Sequence, residues 1–82
     1  MPVPKSLRSP RDLKLRRLLR DAREAAGLSQ QKLAVRIGRP QSFVAKIETS
    51  ERRIDVVEFL ALTEALELDA CEVLAKMRKE RA

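Results

Sequence analysis

The chain has no histidine, no tryptophan and no tyrosine, and among its 82 residues only one cysteine, two glycines and two phenylalanines. Each shortage closes a class of function. Without histidine there is no imidazole general base, and one cysteine cannot complete the usual zinc ligand sets. A lone Cys71 also excludes an internal disulfide, and it reads as an inert, partly buried thiol. No Gly-rich phosphate loop and no cysteine–carboxylate cluster is present, so catalysis and cofactors are not expected. No run approaches the ~20 apolar residues of a membrane span. The opening MPVPKSLRSPRD has no apolar stretch behind it, which argues against a secretory leader. The expected location is cytoplasmic.

What is present is aliphatic and basic. Hydrophobic residues make up 44% of the chain, enough for one small core built from Leu, Ile, Val and Ala around Phe43 and Phe59. The net charge of +6 is unevenly spread: residues 1–53 hold 14 Lys or Arg against 5 acids, and residues 54–82 hold 4 against 7. Basic charge gathered in one part of a small domain suits a polyanion. Charge alone leaves RNA, DNA and acidic membrane open, as it does the plain reading of solvated helix faces.

Helix signals punctuate the whole chain. Pro2 and Pro4 make residues 1–8 an arm, and residues 9–82 a single domain. Ser9-Pro10 reads as N-cap and first helical position, with Asp12 standing in for the usual Glu of a capping box. Leu15, Leu18, Leu19, Ala22 and Ala26 follow at helical spacing up to Gly27, predicting a helix over about 10–26. Ser29 caps a second, about 30–37, whose buried stripe is Leu33, Ala34 and Ile37 and whose stop is Gly38. A third follows Pro40 over about 41–48. Asp55 with Glu58, and Asp69 with Glu72, form two capping boxes that open helices over about 56–67 and 70–80. Leu28, Ile54 and Leu68 are placed to staple onto Leu33, Phe59 and Val73. The fold class is all-α, with five helices.

Two short helices around a glycine turn can present a helix to a DNA groove, and can equally be a plain αα-corner. In the third helix Val44 and Ile47 point inward with Leu33 and Ile37, while Gln41, Ser42, Ala45 and Lys46 point out. Ala34 is small enough for the two helices to cross closely, and Gly38 tolerates a positive φ.

The run AREAAGLSQQKLAVRIGRPQSFVAKIETSERRI resembles the Cro and lambda-repressor type of helix-turn-helix, the XRE family, and the likeness spans about residues 12–75. It implies a compact five-helix lambda-repressor-like domain, a transcriptional regulator and a homodimer on a pseudo-palindromic operator in double-stranded DNA. Gln41, Ser42, Ala45 and Lys46 match the base-contacting positions. Gln30 matches a glutamine that binds a phosphate and buttresses the recognition helix, and Arg23 and Glu48 match a structural salt bridge. Arg39, Thr49, Arg52 and Arg53 are assigned to phosphate. Phe43 either plugs the core or packs on the DNA backbone, and the second is the expectation. Pro40 replaces a capping Ser or Thr, and Thr49-Ser50 replaces a glycine-containing turn, which predicts a less sharp bend there.

Lys5, Arg8 and Arg11 either reach around a duplex or belong to a disordered tail. Leu68, Val73, Leu74 and Met77 are candidates for a dimer contact that can instead close the core of the monomer. A repressor is the leading reading. The alternative is an antitoxin or adaptor whose main partner is a protein, although no toxin-neutralising extension is evident.

Overall fold

The computed structural model describes residues 8–81, which form five helices: α1 (Pro10–Ala25), α2 (Gln30–Ile37), α3 (Gln41–Glu48), α4 (Val56–Ala65) and α5 (Ala70–Arg78). No strand occurs among the described residues, and no helix there is long and apolar enough to cross a membrane. Of the expected arm only Arg8 falls within this range.

The helices start where side chains satisfy the first backbone donors. Ser9 Oγ accepts from the Asp12 N–H at 3.2 Å, and Ser29 Oγ from the Lys32 N–H at 3.1 Å. Asp55 and Glu58 form the full reciprocal box, at 2.7 and 3.0 Å. Asp69 accepts from the Cys71 and Glu72 N–H groups, and only that half of its expected box is made. Asp12 departs from its expected role. Its Oδ2 accepts from the Arg8 backbone N–H at 2.9 Å and from Arg16 Nε at 2.7 Å.

The ends of α1 to α4 share one device, a left-handed residue that returns two N–H groups to the last carbonyls. Gly27 (φ 70°) and Gly38 (φ 67°) supply it after α1 and α2. Ser50 (φ 63°) and Glu67 (φ 56°) supply it after α3 and α4 without being glycine. The Glu51 N–H donates to the Lys46 carbonyl at 2.9 Å and the Ser50 N–H to that of Ile47 at 3.3 Å. The turn after α3 is therefore as tight as a glycine turn, which corrects the expectation of a looser one. Helix α4 stops at Ala65, two residues before the expected end, because Leu66 caps it and Glu67 turns left-handed, with the Leu68 N–H donating to the Thr63 carbonyl.

Leu19, Leu33, Ala34, Phe43, Val44, Ile47, Leu62 and Leu66 form the core, with Leu15, Leu28, Ile37, Ile54 and Leu68 packed against it. Ala34 has no exposed surface at all, as the α2–α3 crossing requires. Helix α2 packs on α3 and α4, and α1 lies along α5. Two dimer candidates are thereby reassigned: Val73 is buried and Leu68 packs on the core of its own chain. Leu74 stays exposed and Met77 half-buried.

Candidate nucleic-acid interface

Helices α2 and α3, joined through Gly38, Arg39 and Pro40, build the site. The Arg39 N–H donates to the Ala34 carbonyl at 3.0 Å, which folds the turn tightly back on α2. Pro40 sits at the N-cap of α3 in extended backbone and provides no side-chain cap. Beyond it Val44 and Ile47 go to the core, and Gln41, Ser42 and Lys46 are exposed with Ala45 half-buried beside them.

This outer face is tied to the interior by a chain of hydrogen bonds. Gln41 Nε2 donates to Gln30 Oε1 at 2.7 Å, and Gln30 Nε2 donates to Glu48 Oε1 at 2.9 Å. Arg23 then closes on Glu48 with a two-pronged pair, Nε to Oε2 at 2.6 Å and Nη2 to Oε1 at 3.1 Å. A third Arg23 donor, Nη1, goes to the Leu28 carbonyl at 2.7 Å. The Glu48 hydrogen bond is the main reason the Arg23 guanidinium holds its proton above the ordinary range. The Arg23–Glu48 salt bridge thus locks α1 to α3, and Gln30 connects it to the outer face. Gln41 keeps its amide oxygen and one N–H for another partner.

Two sequence assignments change, those of Phe43 and Arg11, while Arg52 gains an unexpected partner. Phe43 is only 7% exposed, so its ring belongs to the core and offers little surface to a DNA backbone. The reason is crowding from its neighbours: the guanidinium carbons of Arg39 and Arg52 lie 4.7 and 4.6 Å from the ring centroid and cover it. Arg52 is held in an ion pair but stays partly exposed. Its Nη1 and Nη2 each donate to Glu58 at 2.8 Å, and Nη1 also reaches the Arg53 carbonyl at 2.9 Å. Arg11 turns away from any arm, donating to the carbonyls of Glu80 at 3.1 Å and Arg78 at 3.4 Å at the end of α5. Lys5 lies outside the described residues.

The remaining expected residues are exposed. Arg39 is exposed and uses one donor on Glu58, at 3.2 Å. Arg53 is exposed, with no ion pair among the described residues. Thr49 is exposed, and its hydroxyl donates to the carbonyls of Ala45 at 3.1 Å and Lys46 at 3.4 Å.

Sequence reasoning missed Arg16 and the part played by Glu58. Arg16 is 3% exposed, donates Nη1 to the Ile47 carbonyl at 2.6 Å, and so caps the C-terminal end of α3 from within. A signal existed: Arg16, Leu19 and Arg23 are spaced three and four apart and share one helix face. Glu58 was legible only as a cap, yet it is buried and holds two arginines. Arg52 hydrogen bonding, foremost, lowers its carboxyl from an ordinary value of 4.5 to about 2.

Comparison with known proteins agrees with this geometry. The sequence profile of a helix-turn-helix domain matches residues 14–75. An XRE-family like protein from Pseudomonas syringae pv. tomato str. DC3000 is 46% identical, with a TM-score of 0.79 over 84% of each chain. The restriction-modification controller protein C.AhdI from Aeromonas hydrophila is 35% identical, with a TM-score of 0.70 over 76% of this chain and 94% of that one. The clp gene regulator ClgR from C. glutamicum shares the fold, at 18% identity and a TM-score of 0.75 over 88% of this chain and 94% of that one. None of the curated proteins matches the sequence. With the profile spanning both helices of the motif and a relative of this similarity, the chain belongs to the XRE family of helix-turn-helix proteins.

Proposed function

We propose that this DNA-binding regulator is a homodimeric repressor that places α3 in the major groove of a pseudo-palindromic operator and occludes a promoter. The carrying observation is the outer face of α3, whose Gln41 is held through Gln30 on the Arg23–Glu48 pair. A glutamine amide with one oxygen and one N–H available matches the N6 and N7 edge of adenine, and Lys46 matches guanine O6 and N7. Ser42 accommodates either, and Ala45 offers a methyl to thymine. Gln30, Arg39, Arg52, Arg53 and Thr49 flank this face and are assigned to backbone phosphates. With only two strong readers, each contributing about 1–3 kcal/mol of discrimination, a half-site is modestly specific and dimerisation supplies the rest.

The α4–α5 side supports the second subunit. Val56 and Leu74 are exposed there and, with Met77, Phe59, Ile54 and Leu15, border a shallow hollow of about 160 Å³. A dimer through this side would set two α3 helices into successive major grooves about 34–36 Å apart. Cytoplasmic, nucleoid-bound protein is the corresponding location.

Selection on random duplex DNA at physiological salt is the test. A two-fold-symmetric site with half-sites one helical turn apart is the expected product, and Gln41→Ala then relaxes the preferred base with little change in salt dependence. Weak, sequence-indifferent binding would overturn the repressor reading and favour an adaptor or antitoxin, with the same apolar side seating a partner protein.

A further inference from the structure

Beneath the basic edge of the site lies an acid that charge counting would place elsewhere. We propose that Glu58 is a positioning residue for DNA: its carboxylate fixes the guanidinium groups of Arg39 and Arg52 over Phe43, and their outward N–H edges form a preset seat for one backbone phosphate. The inference rests on the DNA-binding reading and adds to it a residue outside the helix-turn-helix.

Every lone-pair direction of the carboxylate is engaged. Oε1 accepts from Arg52 Nη1 at 2.8 Å and from the Asp55 N–H at 3.0 Å, and Oε2 accepts from Arg52 Nη2 at 2.8 Å and Arg39 Nη2 at 3.2 Å. The Glu58 side chain is buried, while those of Arg39 and Arg52 are 45% and 38% exposed. The acid is therefore under the arginines, and it holds them without masking them. Phe43 completes the support, with both guanidinium carbons within 4.7 Å of its ring centroid.

Two arginines on one carboxylate retain a net positive charge, and the donors left over have the forked geometry that suits a phosphate. Arg39 comes from the turn before α3 and Arg52 from the loop after it. The seat thus joins the segments that enter and leave the recognition helix, over Phe43 in its first turn, where a backbone contact sets how that helix enters the groove. Long, mobile arginines gain most from such prior ordering, because the freedom they would lose on binding is already lost.

The test sets positioning against net charge. Kd for a random-sequence duplex is measured by fluorescence anisotropy across a salt series, below the melting temperature of each variant. Glu58→Gln keeps the shape and the hydrogen bond to Asp55 and raises the net charge by one, so charge counting predicts tighter binding. The positioning role predicts the opposite: Kd rises about 5- to 10-fold and the log–log salt slope shrinks by about one, one phosphate contact being lost. Arg52→Lys keeps the charge but not the fork, and the same loss is expected.

Glu58→Gln binding as tightly as wild type or tighter, with an equal or steeper slope, would overturn the proposal. If Glu58→Gln does not fold, Arg39→Lys and Arg52→Lys decide, since both leave the capping box intact: weaker binding supports the seat and unchanged affinity refutes it. Failure of the DNA-binding reading itself shows separately, as a wild-type chain that does not bind duplex.

Discussion

Replacing Arg23 by Met should come close to unfolding the domain. The Glu48 side chain is 7% exposed and accepts two hydrogen bonds from Arg23 and one from Gln30. Without the guanidinium a buried carboxylate keeps one neutral donor, and the Leu28 carbonyl loses its partner too. Breaking one side of a buried pair costs about 3–5 kcal/mol. A chain of this length has in total about 4–12 kcal/mol at the usual stability per residue. The melting temperature should fall by roughly 12–40 °C, taking about 4–8 °C per kcal/mol. Urea unfolding followed by far-UV circular dichroism measures the loss directly, and the double variant Arg23→Met/Glu48→Leu should lie closer to wild type, because no charge is left stranded. A loss below about 1 kcal/mol in Arg23→Met, the scale of a solvated surface pair, would refute the view that this bridge organises the domain.

Three further outcomes follow from the same geometry. Glu67→Gly should stabilise by about 1 kcal/mol, because the residue is exposed and already left-handed at φ 56°, where a side chain is strained; the urea midpoint reads it. Ala34→Leu should destabilise by about 1–3 kcal/mol or more by overpacking the α2–α3 crossing, where Ala34 is wholly buried. Glu58 titrates near pH 2 when folded and near 4.5 otherwise, so its ion pairs stabilise fully above about pH 4.5 and fade as pH falls toward 2. Acid unfolding of Glu58→Gln should therefore be less steep across that window than acid unfolding of the wild type.

Helix starts were legible because caps are local: Ser9, Ser29, Asp55 and Asp69 each act within three residues of themselves. Helix stops were legible near the glycines after α1 and α2 and at Glu48, whereas α4 and α5 end two residues early. Ser50 and Glu67 adopt the same backbone, closed by the Glu51 and Leu68 N–H groups, and neither residue type announces it. The inward face of α3 followed from its 3.6-residue period for Val44 and Ile47, whereas Phe43 lies at the edge of that stripe. Only the arginines closing over it show which way its ring goes.

What the sequence by itself determined is therefore the count and order of five helices, the helix-turn-helix with Ala34 at its crossing, and a basic stretch followed by an acidic one. Family likeness added the Arg23–Glu48 bridge, which the structure displays. The tertiary structure alone decided how charges pair. With 18 cations and 12 acids in the chain, spacing cannot choose partners 19 or 25 residues apart. That choice depends on where folded helices bring their side chains, and it sends Arg16 inside, Arg11 to the end of α5, and Arg39 and Arg52 onto Glu58. Burial then settles each role, because a desolvated charge must keep its partner and a solvated one is free to bind elsewhere.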